Sequence, residues 1–263
     1  MSFIEKEGLR YFQFDIFKNQ HFFHAVLTRK GGFSKPPYDS LNTGGTVGDD
    51  PQAVLKNHQR IYEVLGYDYL SRFDVWQVHG TDVICADMPR SPQTPHLKAD
   101  CILTDQHNLT LFMRFADCVP ILLFDPKKVV IGIVHAGWQG TAYRIVQVAV
   151  EKMIRYYGSQ PETLLAGIGP AICKNCYEVG HEVYHSFSSN YGCGFEKFFR
   201  NRHGKLYLNL HEANIEVLKK AGVTQIENAD ICTACHPEDW YSHRRQQGKT
   251  GRFGVLMSLD LSS

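Results

Sequence analysis

The sequence predicts one domain of mixed α and β structure, of the α/β (α+β) class, spanning residues 1–263. Strand-like runs outnumber helical stripes and do not alternate with them regularly. No Ser/Gly-rich or Pro-rich stretch divides the chain into separate units. With 263 residues and 43% hydrophobic content, the chain can bury a substantial core. We therefore expect a single domain with a high sheet content.

Eight short segments are predicted to be strands because they are apolar and rich in β-branched or aromatic residues. Several have turn residues on both sides, which is typical of strands that end in tight connections. In chain order they are FFHAVLT (22–28), VWQVHGTDVICA (75–86), CILTD (101–105), LTLFMRF (109–115), ILLF (121–124), VVIGIVH (129–135), LLAGIG (164–169) and VLMSLDL (255–261).

Three segments have the apolar spacing of helices. The first, residues 50–66, shows an apolar stripe that stops at a glycine. The second begins at Thr141, which is predicted to be the N-cap, and ends at Gly158. The third lies near residues 211–222 and contains HEANIEVLKKAG.

Residues 116–140, ADCVPILLFDPKKVVIGIVHAGWQG, predict a β-hairpin with reactive side chains at its outer ends. If Pro126 and the following lysine form a tight turn, facing residues have numbers that sum to 253, and Cys118 faces His135. Pro120 lacks an N–H, so a bulge or register slip would separate the pair. Facing side chains about 4.5 to 5.5 Å apart can share a zinc ion or form a nucleophile and base, and both readings stay open.

The charge balance excludes some function classes. A net charge of +1 and a pI near 7.6 argue against a general binder of nucleic acid or membrane surfaces, because such proteins rely on a broad basic field. The segment MSFIEKEGLR has acidic residues where a signal peptide needs a basic head, and no run is long enough to span a bilayer. We therefore expect a cytoplasmic protein.

Two CxxC pairs offer a rival metal site among the eight cysteines. They are CKNC at 173–176 and CTAC at 232–235, and four cysteines with this spacing are typical of a zinc site. Such a site usually has Gly after the second cysteine, whereas Tyr177 and His236 follow here. In a reducing compartment we favour buried free thiols in ordinary packing.

A catalytic zinc at Cys118 and His135 needs a third protein ligand. His79 is the candidate, because VWQVHGTDV places it in a strand-like stretch where Gly80 allows backbone or substrate to approach closely. The tripeptide Ala-Asp-Cys of the hairpin also occurs at 99–101. No histidine stands at a comparable hairpin position there, so we interpret that copy as a buried part of a strand.

Six stretches form an ordered set of motifs: LTRKGGFSKPPYDSLNTGGTVGDDPQAVLKN, QVHGTDV, ADCVPILL, HAGWQGT, GIGPAICKNCYEVG and WYSHRRQQGKTGRFG. Together they resemble the signature stretches of the YfiH-like family, also called the laccase-domain or polyphenol-oxidase family. The resemblance runs from about residue 26 onward and covers nearly the whole chain. In one departure, Gln139 replaces the usual Arg, which weakens phosphate binding at the adjacent helix start.

The resemblance implies a single α/β/β/α sandwich with mixed sheets, similar to the catalytic domain of cytotoxic necrotizing factors. It implies a zinc site formed by His79, Cys118 and His135, with copper as the less favoured metal. It also implies a purine nucleoside phosphorylase that cleaves adenosine, inosine and S-methyl-5'-thioadenosine with phosphate, and that deaminates adenosine. We accordingly expect nucleosides and phosphate as partners, no nucleic acid or membrane, and a monomer.

Substrate contacts are expected from the matching stretches. The tail SHRRQQGKTGR places Arg244, Arg245 and Arg252 close together in sequence, and guanidinium groups hold phosphate in a fixed geometry. A solvated basic loop is the competing interpretation of this charge run. Asn42 and Gln77 lie in two other matching stretches and complete the expected substrate contacts.

Two further residues are the expected catalytic groups. Arg29 belongs to the matching stretch TRKGG. Asp117, directly before Cys118, is the expected carboxylate for proton transfer, although adjacent strand residues point to opposite faces.

Three other functions compete with the phosphorylase. A cysteine hydrolase or deamidase would use Cys118 as nucleophile and His135 as base, as the likeness to the necrotizing factors suggests. A multicopper laccase needs many closely spaced histidines, and no His-x-His occurs among the thirteen present. A non-enzymatic zinc module would use the two CxxC pairs.

Overall fold

Two six-stranded β-sheets form the centre of the computed structural model, which describes residues 2–259. In spatial order the first sheet contains β1 (Ser2–Lys6), β2 (Leu9–Gln13), β3 (Phe23–Leu27), β15 (Phe253–Ser258), β7 (Thr110–Phe115) and β4 (Arg72–Asp74). The second contains β14 (Gln225–Asn228), β10 (Leu165–Ile168), β8 (Val119–Asp125), β9 (Val130–Ala136), β6 (Cys101–Thr104) and β5 (Val83–Cys85). A small sheet contains β11 (Glu178–Val179), β13 (Lys205–Leu208) and β12 (Phe199–Arg202).

Both large sheets are mixed. The pairs β4–β7, β5–β6 and β10–β14 are parallel, and the other neighbours in the two sheets are antiparallel. The helices that accompany them are α1 (Pro51–Leu65), α2 (Trp138–Ala142), α3 (Ile145–Lys152), α4 (His181–Tyr191) and α5 (Leu210–Lys220). In the part of the chain that the structure describes, no helix combines the length and apolar character needed to cross a bilayer.

The predicted α/β/β/α sandwich is confirmed by three apolar clusters that lie between successive layers. The cluster between the sheets joins Val255 of β15 to Leu122 of β8. Successive side chains of a strand point to opposite faces, so Ile121 of β8 packs on the outer face, where α3 and α5 cover the second sheet. Leu256 lies on the outer face of the first sheet, against Ile61 of α1. The central strands of both sheets are therefore buried on both faces, which accounts for their nearly continuous apolar sequences.

The first and third predicted helices are confirmed. Helix α1 begins after Asp50, whose side chain accepts a hydrogen bond from the backbone N–H of Gln52. It ends at Gly66, which has a φ of 81°. Helix α5 begins after Asn209, which caps it in the same way, one residue before the predicted start.

The helix predicted from Thr141 to Gly158 is divided in the structure. Gly137 is the N-cap of α2, and Arg144, with a φ of 59°, separates α2 from α3. The prediction of Thr141 as N-cap is therefore wrong. Its hydroxyl lies in the interior and accepts a hydrogen bond from the side-chain amide of Asn214 at 3.0 Å. The predicted end at Gly158 is confirmed by its φ of 71°.

The hairpin of β8 and β9 is confirmed, but its predicted register is wrong by two residues. Pro120 pairs with His135, so facing numbers sum to 255. The carboxylate of Asp125 accepts the backbone N–H groups of Lys127 at 2.8 Å and Lys128 at 3.1 Å. These bonds stabilise a longer turn, residues 126–129, than the tight one predicted. Because the shift is an even number, each side chain stays on its predicted face.

Some predicted strands are only partly formed. Of residues 75–86, only Val83–Cys85 is a strand in the large sheets, and His79 lies in the loop before it with a φ of 61°. The last two residues of the predicted strand 255–261 lie outside the described residues. The hairpin of β1 and β2, helix α4 and the small sheet had no sequence prediction.

Candidate metal centre and adjacent cleft

His79, Cys118 and His135 lie together at one end of the second sheet. One side-chain atom from each, a ring nitrogen or the thiol sulfur, lies within 4.8 Å of the other two. Cys118 directly precedes β8, and His135 is the second-last residue of β9. The two are diagonal neighbours on one face rather than facing residues, because Pro120 occupies the facing position.

Gly137 makes this close approach possible. A Cβ atom at this position would lie 2.8 Å from Cδ2 of His79 and 3.1 Å from Sγ of Cys118. Both distances are shorter than ordinary carbon contacts of about 3.5 to 4.0 Å. The absence of a side chain at Gly137 therefore lets the loop that contains His79 close over the hairpin.

Asp100 connects the members of the trio. Its Oδ1 atom lies 2.8 Å from Nδ1 of His135 and accepts the backbone N–H of His79 at 2.9 Å. Its Oδ2 atom accepts the N–H groups of Val78 at 3.2 Å and Gly80 at 2.7 Å. A carboxylate in this position fixes the orientation of the imidazole ring and the loop backbone.

The sequence interpretation missed Asp100. It belongs to the first Ala-Asp-Cys copy, which we had interpreted as a buried part of a strand, and Cys101 beside it is indeed a fully buried strand residue. The second copy holds Cys118 at the start of the neighbouring hairpin. The repetition of the tripeptide was the one signal in the sequence that pointed to this residue.

The electrostatics of the trio favour a thiolate. Burial alone would raise the pKa of Cys118, but the charge of His135 and hydrogen bonds from His135 and His79 lower it to about 6. Burial alone would lower the pKa of His135, but the charge of Cys118 and the hydrogen bond to Asp100 raise it to about 9. Without metal, these interactions favour a thiolate at Cys118 and a protonated His135, and a metal ion would displace that proton.

The donor set fits a single zinc ion. Two imidazole nitrogens and a thiolate are common zinc ligands, and three protein donors leave a fourth position for water or substrate. His135 bonds Asp100 through Nδ1, which directs Nε2 toward the trio. Between residues 2 and 259, one other group of His, Cys, Asp or Glu side chains is close enough to share an ion, and it consists of four cysteines. Neither group has the many histidines of a multicopper centre.

A cleft of about 620 Å³ lies beside the trio, and His135 forms part of its wall. Its volume is within the range of small-molecule sites, about 300 to 1,000 Å³. Trp76, with 49% of its surface exposed, and Tyr69 give the cleft aromatic walls. Such walls suit a flat apolar ring, because aromatic faces stack on it.

Three arginines make the cleft basic. Arg72, Arg114 and Arg252 line it. Arg72 and Arg114 form ion pairs with the buried carboxylate of Asp74, and Arg90, outside the lining, contacts the same carboxylate at 2.8 Å. Burial alone would raise the pKa of Asp74, but a hydrogen bond from a histidine and the arginine charges hold it well below its usual range. Three arginines thus share one carboxylate and Arg252 adds a further positive charge, which leaves the cleft suited to an anion.

The structure places Asp117 beside the trio, but both of its carboxylate oxygens contact other parts of the protein. Oδ1 accepts the hydroxyl proton of Thr233 at 2.6 Å, and Oδ2 accepts the backbone N–H of Arg244 at 2.7 Å. The residue is 6% exposed and has a φ of 81°. This arrangement suits a residue that shapes the backbone next to Cys118 better than one that transfers protons.

Arg29 and Asn42 are also engaged by the protein. The guanidinium of Arg29 pairs with Asp39 and stacks on the ring of Tyr241, 4.6 Å from its centroid, outside the cleft lining. Asn42 is fully buried, and its Oδ1 atom accepts the backbone N–H of Arg252 at 2.8 Å. Asn42 therefore positions a cleft arginine instead of reaching the cleft itself.

Gln77 and Arg252 are the two expected substrate contacts that line the cleft. The amide group of Gln77 exchanges two hydrogen bonds with the backbone of Arg114, at 2.7 and 3.0 Å. Arg244 and Arg245 are exposed outside the lining, and their guanidinium groups donate to the carbonyl oxygens of residues 178 and 234. Sequence reasoning missed Arg72, Arg114 and Trp76, which lie in segments without a basic run or a glycine-rich motif.

Comparison with known proteins identifies relatives of this chain. A model of the family described as multi-copper polyphenol oxidoreductase laccase matches residues 23–260. The purine nucleoside phosphorylase of Deinococcus radiodurans is 38% identical over 238 residues, which cover 90% of this chain and 88% of the relative. Purine nucleoside phosphorylase YlmD of Bacillus subtilis is 35% identical over 249 residues, covering 92% and 90%.

A solved structure supports the same relationship. The crystal structure of the hypothetical protein YfiH from Bacillus licheniformis has a TM-score of 0.90 and 33% identity, covering 97% of this chain and 98% of that chain. The resemblance stated from the signature stretches and the predicted mixed fold are thereby confirmed.

Proposed function

Because the chain belongs to the family described as multi-copper polyphenol oxidoreductase laccase and its relatives include purine nucleoside phosphorylases, we propose that it is a zinc-dependent purine nucleoside phosphorylase that also deaminates adenosine. One observation carries the proposal. His135 belongs both to the N,N,S trio and to the wall of the basic, aromatic cleft. A nucleoside in the cleft would therefore lie next to the metal ligands.

The cleft residues account for the two substrates of phosphorolysis. Arg72, Arg114 and Arg252 are suited to hold phosphate, since guanidinium groups bind its oxygens in a fixed geometry. Trp76 and Tyr69 are suited to stack on the purine. A phosphate oxygen then bonds to C1′ of the ribose while the C1′–N9 bond breaks, and the purine leaves with the electron pair and takes up a proton. Positioning the two reactants together supplies much of the rate enhancement.

Deamination is assigned to the same site. When bound by the trio, zinc would lower the pKa of water toward about 7 and so supply the nucleophile that attacks purine C6. The protein's part is to hold this geometry. Asp100 orients His135 and the loop of His79, and Gly137 leaves room for His79 beside Cys118.

The test is to incubate purified protein with adenosine, inosine and S-methyl-5'-thioadenosine, with and without phosphate, and to identify the products. Free base and ribose 1-phosphate are expected only with phosphate, and inosine is expected from adenosine without it. Arg252→Gln should raise the KM for phosphate at least about tenfold, because a charge-assisted hydrogen bond is worth about 1.5 to 3 kcal/mol. The matched control, Arg200→Gln, changes an exposed arginine of β12 and should leave KM unchanged. Zinc-loaded protein that turns over no nucleoside would contradict the proposal.

A second candidate function rests on the same geometry, in which the sulfur of Cys118 lies within 4.8 Å of a ring nitrogen of His135. Cys118, His135 and Asp100 also form the nucleophile, base and orienting carboxylate of a cysteine hydrolase. The two functions differ in whether zinc is bound to the thiolate of Cys118. Stoichiometric zinc that protects Cys118 from alkylation supports the phosphorylase, whereas metal-free protein in which Cys118 is alkylated fastest supports the hydrolase.

A further inference from the structure

A second group of possible metal ligands lies outside the trio and the cleft. The sulfur atoms of Cys173, Cys176, Cys232 and Cys235 all lie within 4.8 Å of one another. Two loops distant in sequence are joined here, since Ala171 and Cys232 form a parallel β-bridge. A tetrahedral ion with Zn–S bonds of about 2.3 Å has its sulfur atoms about 3.8 Å apart. The observed spread therefore needs only small movements to match this geometry.

A backbone amide of one loop is directed at a sulfur atom of the other loop. The N–H of Cys173 donates to Sγ of Cys232 at 3.3 Å. Hydrogen bonds of this kind stabilise thiolates, the form in which cysteine binds metals.

The residues that follow each CxxC pair do not prevent metal binding. Tyr177 donates its N–H to the carbonyl of Cys173 at 3.0 Å, and His236 makes the equivalent bond to Cys232 at 3.1 Å. The φ angles of Tyr177 and His236 are not in the left-handed region. Neither turn therefore requires the glycine whose absence had argued against a four-cysteine site. Our expectation of thiols in ordinary packing also overlooked that Cys235 is exposed.

We propose that these four cysteines bind a structural zinc ion, distinct from the trio. Four protein thiolates close the coordination sphere, which is typical of structural rather than catalytic zinc. A single disulfide would use only two of the sulfurs, and the sulfur atoms of Cys176 and Cys235 are 3.5 Å apart, compared with about 2.05 Å for a bond. A shared zinc ion explains why all four sulfur atoms lie close together.

The second ion would hold the backbone beside the trio. Ile172, next to Cys173, donates its N–H to the carbonyl of Asp117 at 3.0 Å. Thr233, next to Cys232, donates its hydroxyl to the carboxylate of Asp117 at 2.6 Å. Both loops of the four-cysteine site therefore form hydrogen bonds to Asp117, the residue that precedes Cys118. The ion stabilises the position of one trio member without contacting substrate.

Zinc content per chain, measured by inductively coupled plasma mass spectrometry on dialysed full-length protein, tests this site. Wild-type protein is expected to hold two zinc ions, and Cys176→Ser/Cys235→Ser is expected to hold one. Cys193→Ser, which changes an exposed cysteine outside both groups, should retain two. An unchanged count in the double variant, or iron in place of zinc, would overturn the proposal. The count needs no turnover, so it stands or falls independently of nucleoside phosphorolysis.

Alkylation of native wild-type protein keeps the test decisive if the double variant fails to fold. Peptide mass spectrometry should find Cys193 modified rapidly, and the four cysteines modified at least about tenfold more slowly until a chelator is added. Modification of the exposed Cys235 at the rate of Cys193, or a disulfide within the group in protein purified without reductant, would refute a shared zinc ion.

Discussion

At the scale of single residues, the sequence identified ligands more readily than the groups that orient them. Cys118 and His135 lie in one hairpin, and His79 lies in a motif with a flexible glycine beside it, so their residue types and spacing suggested a shared site. Asp100 accepts hydrogen bonds from three backbone N–H groups of a loop about twenty residues earlier in the chain. That function depends on how the loop folds over the sheet, which spacing in a sequence does not specify.

Asp100→Asn tests the orienting role directly. Asparagine keeps the size of the side chain but replaces one acceptor oxygen by a donor, which faces either backbone N–H groups or the ring of His135. We expect zinc affinity at the trio to fall by about 10- to 100-fold, the usual cost of losing such a partner. Competition with a fluorescent zinc chelator measures the change.

The comparison protein for that measurement is Asp87→Asn, which alters an exposed aspartate on the same connection between β5 and β6. It should bind zinc as wild type does. Equal affinities for the two variants would mean that Asp100 is not needed to orient the ligands. A thermal melt of each variant distinguishes loss of orientation from loss of the fold.

At the scale of elements, the hairpin shows why a strand was predicted correctly and its register was not. The alternation of buried side chains in β8 and β9 specifies faces but not the length of the turn. The turn depends on Asp125, which is fully buried and accepts hydrogen bonds from two backbone N–H groups of the turn. A side-chain bond of this kind competes with the tight turn that Pro126 favoured.

Removing that side chain is expected to destabilise the hairpin. Asp125→Ala leaves two turn amides without their acceptor and should lower the free energy of unfolding by about 1 to 3 kcal/mol. Asp125→Asn retains an oxygen in the same position and should lose less than half as much. Urea denaturation followed by circular dichroism measures both. If alanine and asparagine are equally destabilising, the two hydrogen bonds do not determine the turn.

The helices also differ in whether their ends are determined by neighbouring residues or by tertiary packing. Helix α1 was predicted almost to the residue, because its Asp50 cap and its Gly66 stop are both local in sequence. The division between α2 and α3 was not predicted. Thr141 has the residue type of a cap, but Asn214 of α5 binds its hydroxyl inside the core. Packing against another helix thus overrode the local preference.

At the scale of the whole molecule, the layered fold determines where the site lies. The central strands of each large sheet are covered on both faces, so their reactive groups can reach solvent only at the ends of strands. Asp100 directly precedes β6, Cys118 directly precedes β8, and His135 is near the end of the antiparallel strand β9 between them. Three adjacent strands thus place these groups at one end of the second sheet.

The covered faces also bury His58, which belongs to the cleft lining, and this predicts acid sensitivity of the whole fold. His58 of α1 lies 5.0 Å, ring centre to ring centre, from Phe112 of the first sheet. Burial, with repulsion from Arg114 and Arg72, lowers its pKa from 6.5 to about 3. Between these two values the unfolded chain binds a proton that the folded chain does not. Stability is therefore complete above pH 6.5 and decreases as the pH falls toward about 3.

Comparing His58→Gln with wild type isolates this contribution, because release of metal from the trio at low pH affects both proteins. The difference in unfolding free energy should shift in favour of the variant by up to about 1.4 kcal/mol for each pH unit below 6.5, and should be constant above it. Urea titrations at pH 8, 7, 6 and 5 measure it. His21→Gln, at an exposed position, provides the control, and its unfolding free energy should change with pH as that of wild type does. Parallel curves for His58→Gln as well would show that the ring binds a proton equally in the folded and unfolded chain, and that burial beneath α1 does not set the acid limit of this protein.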